Sequence, residues 1–189
     1  MRNSTERSEP FRRISAPSFD FMAKWISPGL TVRRMPYGKA LFATREFPKG
    51  ERLIVFSGPI STRFTPMALS VGKTRFLGAY DTARSKADCV NHSCDPTCYV
   101  RYPRGREPEL VTLRALTPGD QITFNYLASD WDLHDHAFLC ACGSPKCFGR
   151  IRGFRYLGRR DRLRLIGSGL APYLRRELRR DQTPKSASR

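Results

Sequence analysis

Three cysteines stand close enough along the chain to act on one ion: Cys140-Ala-Cys142-Gly-Ser-Pro-Lys-Cys147, a C-x-C-x4-C spacing. A structural zinc takes four tetrahedral thiolate or imidazole ligands, with sulfur at about 2.3 Å. The local cluster is one ligand short, so the fourth must come from another part of the chain. Cys94, in Asn91-His92-Ser93-Cys94, is the leading candidate, and Cys89, Cys98, His134 and His136 compete with it. Gly143 and Gly149 suit the tight backbone turns that such a cluster needs.

The other residues that could do chemistry are uninformative one at a time. Asn91-His92 reads first as a turn asparagine beside a core histidine. Tyr126 reads as a buried tyrosine ending a strand, Phe56 and Phe124 as core aromatics, and Gly38-Lys39 as a surface turn.

The elements that must position these residues are mostly short strands. Ala40-Leu41-Phe42-Ala43 is an apolar run, Pro48-Lys49-Gly50 a turn, and Leu53 to Phe56 a second run. Val111 and Leu113 alternate with polar neighbours, Thr117-Pro118-Gly119-Asp120 turns the chain, and Ile122, Phe124 and Tyr126 alternate again. Residues 61–83 show neither period. Strands at irregular spacing, with no βαβ repeat, predict a mainly β domain of the α+β type.

The C-terminal stretch changes character. Leu163 and Ile166 suit a short helix ended by Gly167 to Gly169, and Pro172 opens a second with Tyr173, Leu174 and Leu178 on one face. Leu163, Ile166, Leu174 and Leu178 are expected to pack back on the domain or on a partner. At the other end, residues 1–26 are polar and form an arm that docks through Phe19, Phe21 and Trp25.

The 189 residues fit one domain with modest extensions. No apolar stretch approaches the roughly 18 residues that cross a bilayer, so no membrane association is expected. The N-terminus lacks the apolar segment of a secretory signal, which predicts an intracellular protein without distinguishing cytoplasm from nucleus. Six cysteines in that setting favour metal binding or buried thiols over disulfides. The formal net charge of +17 is unevenly placed: from Arg150 onward 13 Lys and Arg face 3 Asp and Glu, a local +10. Such asymmetry suits electrostatic contact with nucleic acid or a nucleic-acid-bound protein. An arginine-rich but merely solvated surface is the other reading.

Taken together, the motifs carry a resemblance. Asn91-His92-Ser93-Cys94-Asp95-Pro96, followed about 25 residues later by Gly119-Asp120-Gln121-Ile122-Thr123-Phe124-Asn125-Tyr126, resembles the two core motifs of SET-domain protein lysine methyltransferases. The cysteine cluster with Gly149 and Ile151 looks like the post-SET element that follows them, and Tyr37 to Ala43 with Pro48 to Glu51 is similar to the start of the domain. All four stand in the family's order.

The resemblance implies a SET-domain β-clip fold of small sheets with knot-like threading, a post-SET zinc element and C-terminal helices. It divides the chain into an arm (1–26), a SET domain (27–130), a post-SET segment (131–157), a basic helical tail (158–180) and a disordered end (181–189). It supplies Cys94 as the fourth zinc ligand beside Cys140, Cys142 and Cys147. It further implies methyl transfer from S-adenosylmethionine to a lysine of a protein substrate, such as a histone or another nucleic-acid-bound protein. In that scheme Tyr126 lies beside the transferring methyl, and Gly38, Lys39, Asn91 and His92 contact the cofactor. Phe56 and Phe124 line the substrate channel, where phenylalanine in place of tyrosine leaves room for methylation beyond the first step.

Several positions depart from the family pattern. Ala40 replaces a loop glycine, Arg84-Ser85 a Gly-Asn pair, Asp88-Cys89 an Arg-Phe pair, Thr97 an asparagine, and Asn125 an aspartate. They leave two alternatives open: an inactive SET-like module that docks partners through its basic surface, and a small zinc protein that binds nucleic acid directly. The cysteine spacing does not match a DNA-reading zinc finger, and no recognition helix is apparent.

Overall fold

Runs of two to six apolar and β-branched residues between turns yield short strands, and their pairing collects them into small sheets. The computed structural model describes residues 23–78 and 85–180. Phe19 and Phe21 of the expected arm, Arg84, and the expected disordered end over 181–189 lie outside the described residues.

Strands β1 (Ala23–Ile26), β2 (Leu30–Met35), β3 (Gly38–Ala43) and β4 (Arg52–Phe56) come first. β2 and β3 form a hairpin in register from Leu30↔Ala43 to Met35↔Gly38. From Ala40 onward β3 is buried, which is where the apolar run begins. The last residues of the expected arm are therefore structured as β1, antiparallel to β4. Its anchor is the buried Ala23, whereas Trp25 is 40% exposed under the Arg52 guanidinium. Trp25 thus does not dock inward as expected.

The stretch without a readable period forms β5 (Ile60–Ser61), β6 (Leu69–Gly72) and β7 (Arg75–Leu77), a three-stranded sheet in the order β5-β7-β6. Next come β8 (Asn91–His92), β9 (Cys98–Arg101) and β10 (Glu109–Thr112). The largest sheet runs β1-β4-β10-β9, and every residue of its inner strand β10 is buried. Glu109 can be buried there because Arg52 and Arg101, on the flanking strands, meet its carboxylate at 3.3 and 2.6 Å.

β11 (Thr123–Phe124) pairs in parallel with β8, Thr123 opposite Asn91 and Phe124 opposite His92. Two sequence motifs are thereby laid side by side. β12 (Phe138–Leu139) and β13 (Arg150–Ile151) pair antiparallel and bracket the cysteine cluster. Helices α1 (Arg159–Arg164) and α2 (Pro172–Arg180) close the described chain.

Two hydrophobic cores result. One, built on the sheets, contains Leu41, Phe47, Leu53, Ile54, Leu110 and Ile122. The second gathers Leu127, Ile151, Phe154, Leu165, Leu170, Leu174 and Leu178 around Cys94. The tail is thus an integral part of the second core. Its first helix is rotated from the expected phase: Leu165 is buried, while Leu163 and Ile166 are 39% and 51% exposed. Gly169, in the left-handed region at φ 76°, ends this segment as its sequence suggests.

Gly153 lets the second core close. Its φ is 122°, and a Cβ there would stand 2.6 Å from the Trp131 carbonyl oxygen and 2.7 Å from Asp132 Cα. Gly153→Ala is expected to cost roughly 2–4 kcal/mol, from positive-φ strain and a clash with main chain that no rotamer relieves. A thermal melt of the variant reads this directly; an unchanged midpoint would show that the two segments separate without cost.

Candidate active site

The site grows from the β8–β11 pair. Beyond β11 the chain enters a 3-10 turn over Tyr126–Ala128, capped by Asn125, whose Oδ1 accepts from the Leu127 N–H at 3.0 Å. This turn points the Tyr126 ring back toward β8. The Tyr126 hydroxyl donates to the Val90 carbonyl at 2.9 Å, and its ring packs against His92 and Phe124 with centroids at 5.3 and 4.8 Å. Burial, with the charges of Asp130 and Cys89 behind it, holds the hydroxyl well above the ordinary tyrosine value. Tyr126 is therefore a neutral donor at any physiological pH.

His92 faces two ways. Its Nδ1 accepts from the Tyr126 backbone N–H at 3.1 Å, which leaves the ring proton on Nε2, 3.3 Å from Cys94 Sγ. Burial lowers the imidazole to about 4, so the ring is neutral. Asn91, beside it, donates from Nδ2 to the Lys39 carbonyl at 2.9 Å. Lys39 and Asn91 are thus brought together on the β8 side of Tyr126. Gly38, at φ 119°, precedes Lys39 with nothing within 4 Å of where its Cβ would be. An exposed, unobstructed backbone there can be approached closely by a ligand.

On its other side Tyr126 lines a cavity of about 340 Å³. Phe56, Phe124, Val90, Leu133, Phe138 and Asp130 are among its walls. Phe56 and Phe124, at the ends of β4 and β11, therefore meet in one apolar space, with Tyr126 common to the cavity and to the Asn91–His92 strand. Phe138, from β12, also reaches His92 and Tyr126 at 5.7 and 6.3 Å. The segment that carries the cysteines so contributes a wall to the cavity.

The sulfur atoms of Cys94, Cys140, Cys142 and Cys147 all lie within 4.8 Å of one another. Cys94 Sγ is 3.7 Å from Cys140 Sγ and 3.8 Å from Cys147 Sγ. Four sulfurs at about 2.3 Å from a tetrahedral zinc would stand about 3.8 Å apart, so the cluster has the dimensions of such a site. Backbone N–H groups of Phe148 and Gly149 point at Cys94 Sγ and Cys147 Sγ, each at 3.3 Å. Burial pushes the Cys94 thiol above its ordinary value, and a divalent cation is what makes a thiolate favourable in such a place. The competing residues lie elsewhere. Cys89 and Cys98 are buried in the first core, and His134 and His136 are exposed against the Phe64 ring.

Several departures from the family pattern are absorbed locally, whereas Asn125 keeps a buried Nδ2 without a hydrogen-bond partner. Ser85 and Asp88 form a reciprocal capping box on the turn Lys86–Cys89. Ala40 is buried in β3, and Thr97 Oγ1 accepts from the Thr123 N–H at 2.9 Å. Sequence reasoning missed the walls Val90, Leu133, Phe138 and Asp130, of which Asp130 is the charged one. Its signal was an acid set among apolar residues one turn beyond Tyr126, in Leu127-Ala128-Ser129-Asp130.

Residues 38–127 match the family model of the SET domain. Those residues carry a SET domain, and the cysteine cluster that follows it in the chain is consistent with a post-SET element. It is 27% identical over 127 residues to histone-lysine N-methyltransferase trithorax of Drosophila virilis, covering 59% of this chain and 3% of that protein. It is 32% identical over 162 residues to histone-lysine N-methyltransferase TRX1 of Oryza sativa subsp. japonica, covering 73% of this chain and 16% of that protein. A further relative, methyltransferase flvH of Aspergillus flavus, is 39% identical over 70 residues, covering 33% of this chain and 34% of its own length. The chain therefore spans only a small part of these relatives. No helix among the described residues is long and apolar enough to cross a membrane.

Proposed function

We propose that the protein is an S-adenosylmethionine-dependent protein lysine N-methyltransferase. The observation that carries this reading is the position of Tyr126, shared between an apolar cavity and the strand bearing Asn91 and His92, inside a SET domain. The relatives' names, histone-lysine N-methyltransferase among them, support the same class of reaction.

The assignment of roles follows from that arrangement. Gly38, Lys39, Asn91 and His92 bind the cofactor, which supplies an electrophilic methyl on a sulfonium. Phe56, Phe124 and Tyr126 receive the target side chain from the cavity. Their apolar walls exclude water and align the amine for in-line displacement, which is the main task of catalysis here. A free lysine titrates near 10.4, and an apolar channel beside a sulfonium disfavours the ammonium, assisting loss of its proton. Cys94, Cys140, Cys142 and Cys147 hold a structural zinc, which fixes β12 and hence Phe138 against the cavity. With phenylalanine at 56 and 124, the amine keeps room for more than one methyl.

The substrate is a protein lysine, with histones the first class to test given the relatives. Exposed arginines along the tail, among them Arg159, Arg160 and Arg176, favour an acidic or nucleic-acid-bound partner through long-range attraction. An inactive docking module is the weaker reading, because Ala40, Ser85 and Thr97, three of the departures that suggested it, are accommodated without obstructing Tyr126.

Calorimetric titration of zinc-loaded protein with S-adenosylmethionine tests the proposal. Binding in the micromolar range, weakened at least tenfold by Asn91→Ala, is expected. Tyr126→Phe is expected to retain binding and lose methyl transfer to histones by about 10²-fold or more, the size of effect seen when a positioned donor is removed. No binding by folded protein would sink the enzyme reading.

A further inference from the structure

Asp130 is a buried carboxylate in a wall of the cavity, 5% exposed. Two hydroxyls reach it: Ser70 Oγ donates to Oδ1 at 2.5 Å and Ser129 Oγ to Oδ2 at 3.1 Å. An ionised carboxylate offers about four acceptor sites, so roughly half of its capacity is unused. The three tyrosines nearby do not fill it. Tyr102, Tyr126 and Tyr173 donate to the carbonyls of Ser70, Val90 and Ser129 respectively. Among the described residues no Lys or Arg pairs with Asp130, although Glu109 and Asp132, also buried, each have arginine partners. A buried charge with neither a cation nor a full set of donors is costly. Burial raises this carboxyl to about 6 against the two serine bonds, which still leaves it mostly ionised at neutral pH.

The geometry points to Asp130 as the residue that recognises the positive charge of the incoming target amine. This rests on the cavity being the target-lysine channel, as proposed above. The rest of the wall is largely apolar: Phe56, Phe124 and Leu133 enclose the aliphatic stem, and the carboxylate supplies the counter-charge with which the ammonium enters. A bound sulfonium then disfavours that charge and assists loss of the proton. Asp88 and His136 also line the cavity, but each is less buried than Asp130. Asp130 is held from both sides, by Ser70 on β6 and by Ser129 just beyond the Tyr126 turn, so its place relative to Tyr126 is fixed. Selectivity for a basic side chain then resides in one residue of this chain.

The test uses the full zinc-loaded chain without S-adenosylmethionine, titrated by NMR at pH 7.5 with n-butylammonium and, separately, with the uncharged isostere 1-butanol. The native protein is expected to bind the ammonium at least tenfold more tightly than the alcohol. Asp130→Asn is expected to remove that preference and to leave the alcohol's affinity within twofold. Equal binding of both probes by the native protein would overturn the proposal without recourse to any variant. So would a variant that loses both probes together, since Asp130 would then shape the cavity and not read its charge. A chain that fails to bind S-adenosylmethionine yet binds butylammonium through Asp130 refutes methyl transfer and keeps this site.

Discussion

A chain ended after Tyr156 is expected to lose its cooperative fold. The truncation removes Leu165, Leu170, Ala171, Tyr173, Leu174 and Leu178, all 6% exposed or less. Burying one leucine side chain contributes about 1.5–3 kcal/mol, so the four leucines alone account for roughly 6–12 kcal/mol. That is comparable to the whole net stability of a domain, about 5–15 kcal/mol. Polar ties go with them: the Ala171 N–H on the Ala128 carbonyl at 2.8 Å, the Tyr173 hydroxyl on the Ser129 carbonyl, and the Lys73–Glu177 ion pair at 2.8 Å. Ala128 and Ser129 lie two and three residues beyond Tyr126 in the chain, so the loss reaches the proposed active site. Circular dichroism melts and hydrogen exchange of the shortened protein provide the measurement. A cooperative melt within a few degrees of the full chain would show that the tail is an accessory and that the second core stands without it.

Cys94→Ser is expected to release the metal and loosen the chain from Phe138 to Ile151. Binding of a structural zinc contributes on the order of 10 kcal/mol in small zinc-dependent folds, and a hydroxyl in place of one thiolate forfeits much of it. Metal content should fall from about one zinc per chain to well below half, with amide exchange accelerating first in β12 and β13. Cys98→Ser is the matched control, since Cys98 is equally buried but lies in the other core. It should cost some stability from a polar atom placed among apolar neighbours and leave the metal in place. The opposite pattern, zinc kept by the Cys94 variant and lost by the Cys98 variant, would assign the fourth ligand wrongly.

Much of this could be read from the chain because it was local. Residues 40–43 and 53–56 announce themselves by apolar content and flanking turns, and C-x-C-x4-C by spacing. The sheet of β5, β6 and β7 could not be read, because strands of two to four residues are shorter than any window in which a period can emerge. The phase of α1 was misjudged for a related reason. The helix is six residues long, with Leu165 at its C-cap and Ile166 opening a 3-10 turn, so no helical period runs through Leu163, Leu165 and Ile166, and burial in the second core selects Leu165. The pairing of Asn91–His92 with Thr123–Phe124 was not read from the sequence, and Cys94 was chosen among its competitors by resemblance, since contacts across 30 to 50 residues leave no mark in a local pattern. Asp130 was missed because its meaning depends on a cavity whose walls come from several separate stretches of chain.

The ring of His92 braces two parts of the molecule against each other. One nitrogen fixes the backbone of the tyrosine at the centre of the proposed site, and the other touches a sulfur of the cysteine cluster, with no flexible linker between them. Aim and anchorage therefore share a single rigid plate. Whatever loosens the cysteine cluster is therefore expected to loosen the tyrosine as well, because one ring touches both.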